Sequence, residues 1–530
     1  MKIDAGIVRN ESIFIITSWL VFFLLGLYGI FYHELWLDEM QHWLLARDSH
    51  SLTELWINTR YEGHPLLWNL FLYGISVFTD NPLWMQIFHI CIASIASWFF
   101  LKYAPFNLTV RILFIFGYFT FYEYNLISRN YSLSLIFLFS TCILWKNRRD
   151  NYLLMSICLA IAANIHLLSL LVSSAFILVM AADFLKNYAE VDKLTRRKAL
   201  LAGIIFTISL VIAFVQIIPP KDHTFASSNI HFDITRFFRS VYSLWQAFIP
   251  IPDFRQTNYW NKNLIANIYP PLAYLLAVIS WIVPAVFFIR KPSSMLLFYG
   301  GAFLLLIYFT FTFVLDTNRY KGYFYILFIL SCWISVDEKP VKFFPDNLFF
   351  HRLAHISNTI DTSLLYGILI TNCIAGIMAF SLDIVLPFSQ SKNVADFLIT
   401  HGLSNRFVAA SSYNALPPLS GYLRKNIYAL DIDTTGSFCK WNTPFKKFLP
   451  PTQEVLLQKI EKLVLVKRTD WILVLNYPIF SDQNFSTESL IYETDNLKVK
   501  QIKYFERSVV KNENFYLYHI IPNSKVETSD

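Results

Sequence analysis

The chain of 530 residues is 55% hydrophobic and 18% aromatic but only 15% charged, against roughly 25% charged residues in soluble domains. That balance excludes an ordinary soluble protein and makes a membrane the expected solvent. The net charge of +7 does not indicate a nucleic-acid partner, because most basic residues sit in short loops between apolar runs, as the positive-inside rule requires.

Residues 12–32 carry no charge, and at about 1.5 Å per residue they cross a hydrocarbon core of about 30 Å. The run ends in Phe31, Tyr32 and His33 rather than at a small-residue cleavage site, so it reads as a retained anchor. Residues 65–78 are apolar but number only 14, too few to span, and are expected in the outer interface. Uncharged runs follow at 83–101, 199–218, 264–289, 292–315 and 363–382. Residues 151–182 would make one helix of about 48 Å and are expected to divide into two short spans. Lys146, Arg148 and Arg149 precede that run and Lys186, Lys193, Arg196, Arg197 and Lys198 follow it, so both flanks belong on one side. Applied throughout, the rule predicts about eleven transmembrane helices with a cytoplasmic N-terminus. Residues 33–82, 125–130, 164–166, 219–263, 316–319 and everything after 387 then face outward.

From residue 389 the pattern changes to polar helices alternating with short β-rich runs at 406–410, 471–475 and 515–521. The expected fold is therefore a polytopic α-helical membrane unit, residues 1–388, followed by a soluble α/β domain, residues 389–530, outside the membrane. Cys91, Cys142, Cys158, Cys332 and Cys373 lie in apolar runs and Cys439 has no partner in its domain, so no disulfide framework is implied.

The first outward loop opens with Trp36-Leu37-Asp38-Glu39-Met40-Gln41-His42-Trp43. On a helix Asp38 and His42 share a face at i, i+4, and Glu39 faces His42 at i, i+3. A carboxylate held beside the bilayer among aromatics suits a general base; equally, an Asp there can simply cap an interfacial helix. At the loop's far end, Tyr61-Glu62-Gly63-His64-Pro65 offers His64 to a phosphate or an acceptor, although a lone histidine is more often structural. Three further outward turns each present one polar residue: Arg129 in Ser128-Arg129-Asn130-Tyr131, His166 in Ala163-Asn164-Ile165-His166, and Arg319 in Asn318-Arg319-Tyr320. Arginines on the outer side run against the inside bias and are anion-site candidates, with snorkelling to headgroups as the plain alternative. Their shared sidedness with Asp38 favours a site.

The long loop 219–263, rich in aromatics and carrying Arg236, Arg239 and Arg255, is expected to cover that face, while interface anchoring also explains its aromatics. Asp431-Ile432-Asp433 resembles the Asp-x-Asp of soluble nucleotide-sugar transferases, but a strand ending in a turn accounts for it. Glu39-x-x-His42 has metal-ligand spacing, and one such pair is weak evidence. No Walker-type phosphate loop occurs.

This set supports a specific chemistry. A sugar joined through its anomeric carbon to a lipid phosphate already carries a good leaving group, so a cation for the departing phosphate and a base for the acceptor hydroxyl suffice. The pattern resembles the GT-C superfamily of integral-membrane glycosyltransferases, nearest to the family 39, protein O-mannosyltransferase and aminoarabinose-transferase type, over about residues 10 to 335. The shared motifs are the acidic pair after the first helix, the Pro-containing segment ending that loop, an Arg-x-Tyr opening a later helix and a His in a further outer turn. The resemblance implies Asp38 as catalytic base with Glu39 as second candidate, polyprenyl-phosphate sugar donors and inversion at the anomeric centre. It implies that Arg129 with Tyr131, His64, His166 and Arg319 bind substrate, and that the protein lies in a bacterial inner membrane among its lipids. No organic cofactor is indicated and a divalent metal stays open, as does the acceptor: lipid, glycan or protein. The rivals are a lipid-linked glycan flippase or transporter, a scaffold whose external domain does the binding, and a polymerase or ligase using lipid-linked oligosaccharide. Few ionisable residues lie within the spans, which counts against transport.

Overall fold

The computed structural model describes residues 5–223, 230–341, 348–411, 414–442, 451–480 and 488–523, with side chains except at 5–10 and 348–362. Helices come first: α1 (Ala5–Gly29), α2 (Leu37–Arg47), α3 (Leu52–Thr59), α4 (Leu67–Ser76), α5 (Leu83–Tyr103) and α6 (Leu108–Ile115), then a π-helical turn at Tyr118–Glu123. There follow α7 (Tyr131–Trp145), α8 (Arg148–Ala163), α9 (Leu167–Lys186), α10 (Lys193–Ile217), α11 (Ile234–Ser243), α12 (Trp245–Phe248), α13 (Leu264–Ile268), α14 (Pro270–Phe288), α15 (Pro292–Phe311), α16 (Asn318–Val336) and α17 (Leu348–Val385).

Seven described helices, α1, α5, α9, α10, α14, α15 and the Ser363–Val385 part of α17, are long and apolar enough to cross a membrane. The protein is a multi-pass membrane protein. Four shorter or more polar segments, α6 with its π-turn, α7, α8 and α16, pack into the same bundle. The 151–182 run divides as expected, α8 ending at Ala163 and α9 starting at Leu167. The 264–289 run breaks at Tyr269, because Pro270 disfavours helical geometry in the residue before it. Helix α16 is central: apart from Tyr320, every residue from 318 to 334 is buried, as expected for a helix apolar nearly all round. Helix α4 has only 10 residues and lies against α2, too short to cross.

A mixed sheet follows the bundle. Its strands β1 (Phe407–Ala410), β2 (Ile427–Ala429), β3 (Thr434–Gly436), β4 (Trp471–Leu475), β5 (Ser489–Glu493), β6 (Leu497–Phe505) and β7 (Phe515–Pro522) run in the order β3-β2-β1-β4-β7-β6-β5. β1 is parallel to β2 and β4; the other pairings are antiparallel. Alternation puts Ile472 and Val474 against α18 (Ser391–Thr400) and α19 (Leu416–Leu423), and Trp471, Leu473 and Leu475 against α20 (Gln453–Lys467).

The sheet domain docks on α2 through α19. A Cβ on Gly421 would stand 2.0 Å from the Met40 sulfur, so any side chain there forces Met40, fully buried, to shift. Tyr422 Oη accepts from the Leu35 amide at 2.7 Å, and the Cys439 amide and carbonyl both bond the Gln41 side chain, at 2.9 and 2.6 Å. Gly421→Val is expected to weaken the docking by about 1–3 kcal/mol, read as faster protease release of the sheet domain at unchanged helix content; an unchanged cleavage rate would contradict the packing argument.

Candidate active site

The site grows from the first turn of α2. Acidic side chains suit a helix N-terminus, and here two adjacent ones point in different directions. Glu39 is fully buried and Asp38 is 26% exposed. Glu39 Oε2 accepts from His33 Nε2 at 3.0 Å, its Oε1 from the Ser128 amide, and His33 Nδ1 bonds Asp383 at 3.0 Å. With a carboxylate at each ring nitrogen, His33 is an imidazolium: burial opposes the charge, but Asp383 and Glu39 hold its pKa well above the ordinary value. Asp383 belongs to α17, so this bridge ties the first loop to the last membrane helix.

Asp38 faces the other way. Its Oδ2 lies 2.7 Å from Arg319 Nη2 and 3.5 Å from Arg129 Nη1, and Arg129 also donates to the Asp38 carbonyl oxygen at 2.8 Å. Burial pushes the Asp38 carboxyl up, but Arg319 and then Arg129 bring it below the usual carboxylate range. Arg319 is held among aromatic rings, its guanidinium carbon 5.1 Å from Trp36, 5.1 Å from Tyr320 and 5.9 Å from Trp260.

A histidine and tyrosine stack completes the wall. His64 lies 4.9 Å from His166, and His166 lies 4.8 Å from Tyr131, centroid to centroid. His166 caps α9: its Nδ1 accepts from the Leu168 amide at 3.0 Å, which leaves the hydrogen of the neutral ring on Nε2. Burial drives the His64 pKa down to about 3, with Arg129 and Arg319 adding to the effect; burial also lowers His42 well below its ordinary value. These rings are neutral donors and acceptors, not cations. Gly63, at φ +66°, makes the left-handed turn that brings His64 inward from Glu62.

Among the described residues, Arg319 Nε and Nη1, Arg129 Nε, His64 Nδ1, His166 Nε2 and the Tyr131 hydroxyl are buried without a hydrogen-bond partner. These groups lie at or just before the N-terminal ends of α4, α7, α9 and α16, where the partial positive charge of a helix start adds to that of the two arginines. The arrangement gathers unpartnered donors and two arginines beside one ionised carboxylate.

Of the residues singled out from sequence, Asp38, His64, Arg129, Tyr131, His166 and Arg319 come together. Glu39 does not join them, because both its oxygens are engaged inside the protein. Nor does Glu39 face His42, whose Nδ1 bonds Asn69 at 2.8 Å; no three His, Cys, Asp or Glu side chains among the described residues form a metal-ligand group. Loop 219–263, of which residues 224–229 lie outside the described residues, reaches the site through Trp260, whereas Arg255 pairs with Asp253 at 2.7 Å and Arg236 with Asp233 at 3.5 Å. Arg239 is exposed. Asp433 sits in the β2–β3 turn at φ 50°, bonded to Lys459 at 2.8 Å, so the Asp-x-Asp is a turn.

Sequence reasoning did not find His33 and Asp383, or Glu62. Burial pushes the Glu62 carboxyl up to about 7, and Gln41 donates to it at 2.8 Å. The signal for Glu62 was present in its two-residue distance from His64; nothing local marks the His33 pairing.

No family model matches the chain, and no curated protein matches it. Among solved structures it is similar to ArnT from Cupriavidus metallidurans bound to undecaprenyl phosphate, with 11% identity over 98% of this chain and 98% of that one and a TM-score of 0.48. The apo state of the same protein gives 10% identity over 97% and 98% of the two chains, also with a TM-score of 0.48.

Because Glu39 is one of two carboxylates holding a buried imidazolium, Glu39→Ala is expected to cost about 3–5 kcal/mol, seen as a lowered unfolding temperature in detergent. An unchanged temperature would mean the bridge does not hold α2.

Proposed function

We propose that the protein is a glycosyltransferase that moves a sugar from a polyprenyl-phosphate donor to an acceptor hydroxyl. The observation that carries this reading is a carboxylate, Asp38, held against two arginines that keep buried, unpartnered donors, Arg129 Nε and Arg319 Nε and Nη1. Such donors are retained where a ligand satisfies them, and a phosphate at a membrane surface does so. In this reading residues 1–388 are the catalytic membrane unit and 389–530 an extracytoplasmic domain, with the N-terminus in the cytoplasm of a bacterial cell and the site facing out.

The donor phosphate takes Arg129 and Arg319, with His64, the His166 Nε2–H and the Tyr131 hydroxyl as further partners. The acceptor oxygen attacks the anomeric carbon from the face opposite the phosphate, forming the new C–O bond as the old one breaks. The electron pair leaves with the phosphate, whose charge the arginines already meet. The acceptor's proton passes to Asp38. Arginine pairing makes Asp38 a weak base in the empty site, and a bound phosphate diverts that positive charge, so donor binding raises its basicity where the proton is to be received. Glu39 and His33 are positioning residues that fix the first turn of α2. The sheet domain, bonded to Gln41 and Glu62 through its Cys439 and Trp441, is suited to selecting the acceptor.

The test is transfer of radiolabelled sugar from a panel of undecaprenyl-phosphate sugars by purified protein in lipid. Asp38→Asn is expected to lose about 10²–10⁴-fold in kcat while staying folded; absence of lipid-phosphate release from every donor would overturn the enzyme reading in favour of transport. The pH profile should separate two states. The acid limb of kcat/KM, reporting free enzyme, is expected below the ordinary aspartate value of about 3.9, with the kcat limb at higher pH. Coincident limbs would contradict activation by the donor.

A further inference from the structure

The bundle has a second concave surface at the end remote from Asp38. Helix α9 starts at the site beside His166 and runs 20 residues, about 30 Å, before the turn into α10. There α8, α9 and α10 enclose a groove of about 800 Å³. Its walls are apolar, including Ile177, Phe184, Ile204 and Ile208, and its rim carries Lys193, Arg196 and Arg197. Leu200, Ile204 and Ile208 are exposed on α10, so the groove opens towards the bilayer.

Three features of the rim point to an anion. Lys193 and Arg197 are exposed and stand at i, i+4 on one helix face, a spacing at which like charges repel. Arg196 is fixed beside them, its guanidinium bonded to the Val191 and Tyr188 carbonyls at 3.0 Å and lying 4.3 Å from the Tyr188 ring centroid. The neighbouring acids are engaged elsewhere: Asp183 with Arg148 at 2.7 Å and Tyr152 at 3.0 Å, Glu190 with Arg149 at 3.8 Å, and Asp192 as the cap of α10, accepting from Thr195 at 3.0 Å. The wall adds a fourth feature. Gly203 lies inside α10, where glycine is less favourable than alanine, yet a Cβ there would meet nothing within 4 Å. No protein neighbour requires the glycine; its absent side chain deepens the groove.

We propose that this groove binds an anionic membrane phospholipid, its phosphodiester on Lys193, Arg196 and Arg197 and an acyl chain along the wall beside Gly203. A single cationic end joined to an apolar length fits an amphiphile of one negative head, and basic pockets between membrane helices are a recurrent form of headgroup site. This site is independent of the transfer chemistry at Asp38.

The experiment is native mass spectrometry of the full-length protein released from micelles doped with equal phosphatidylglycerol and phosphatidylcholine. Wild type is expected to retain phosphatidylglycerol preferentially. With each basic residue contributing about fivefold near an anionic headgroup, the Lys193→Gln, Arg197→Gln double variant should retain it about twenty-five-fold less well. Gly203→Leu, which keeps every charge and favours the helix, should also lose it. Equal retention of the two lipids by wild type, or undiminished phosphatidylglycerol in either variant, would overturn the proposal.

Discussion

Glu39 lies buried between His33 and the Ser128 amide, and His33 rests in turn on Asp383, 350 residues further along the chain. An unpaired carboxylate or imidazolium in that position would be strongly unfavourable, so the two acids and the ring hold one another in place. Everything at the opposite face of α2 depends on it. Successive helical residues point roughly 100° apart, and once Glu39 is drawn inward Asp38 is turned out towards the arginines. The first two amides of the helix region are met by acidic side chains, Trp36 by Glu39 at 3.4 Å and Leu37 by Glu513 at 2.9 Å, which removes any slack in its start.

The site that results is under-satisfied by design of its packing. Arg319 is pinned by rings, Arg129 by the Asp38 carbonyl, and His166 by the α9 amide it caps; each has further polar atoms that the protein leaves unmet. Buried donors of this kind are expensive, and they persist here because rigid elements hold them. The π-helical turn contributes to that rigidity: Tyr124, directly after it, donates to the Arg319 carbonyl at 2.7 Å, fixing the start of α16. The neutral histidines add hydrogen-bonding capacity without more positive charge, which leaves Asp38 ionised between two cations.

The sheet domain is part of this frame. Glu513 lies between β6 and β7 yet bonds the start of α2, and burial pushes its carboxyl up to about 8. Glu34 accepts from the Phe388 amide at 2.8 Å and is pushed up to about 7, again chiefly by burial. Two raised carboxyls at one seam mean that docking of the domain and protonation are linked, the seam favouring the protonated acids. The domain thus closes over the same loop that carries Asp38 rather than standing apart on a tether.

Much of the architecture is written in local pattern. Apolar run length, a 14-residue segment too short to span and basic clusters on both flanks of 151–182 were sufficient for the helical bundle and for the short α4, because hydrocarbon thickness and headgroup charge act on each segment separately. Short runs rich in β-branched, aromatic and other apolar residues were sufficient for β1, β4 and β7. The grouping of six residues at the candidate site was legible because polar groups at the ends of apolar runs on one side must share a surface. The direction of Glu39, its bridge to His33 and Asp383, the turning away of Arg236 and Arg255, and the seam at Glu513 were not. These depend on which helices touch and on which neighbour satisfies a buried charge, and both are decided between residues hundreds of positions apart, where local periodicity carries no information.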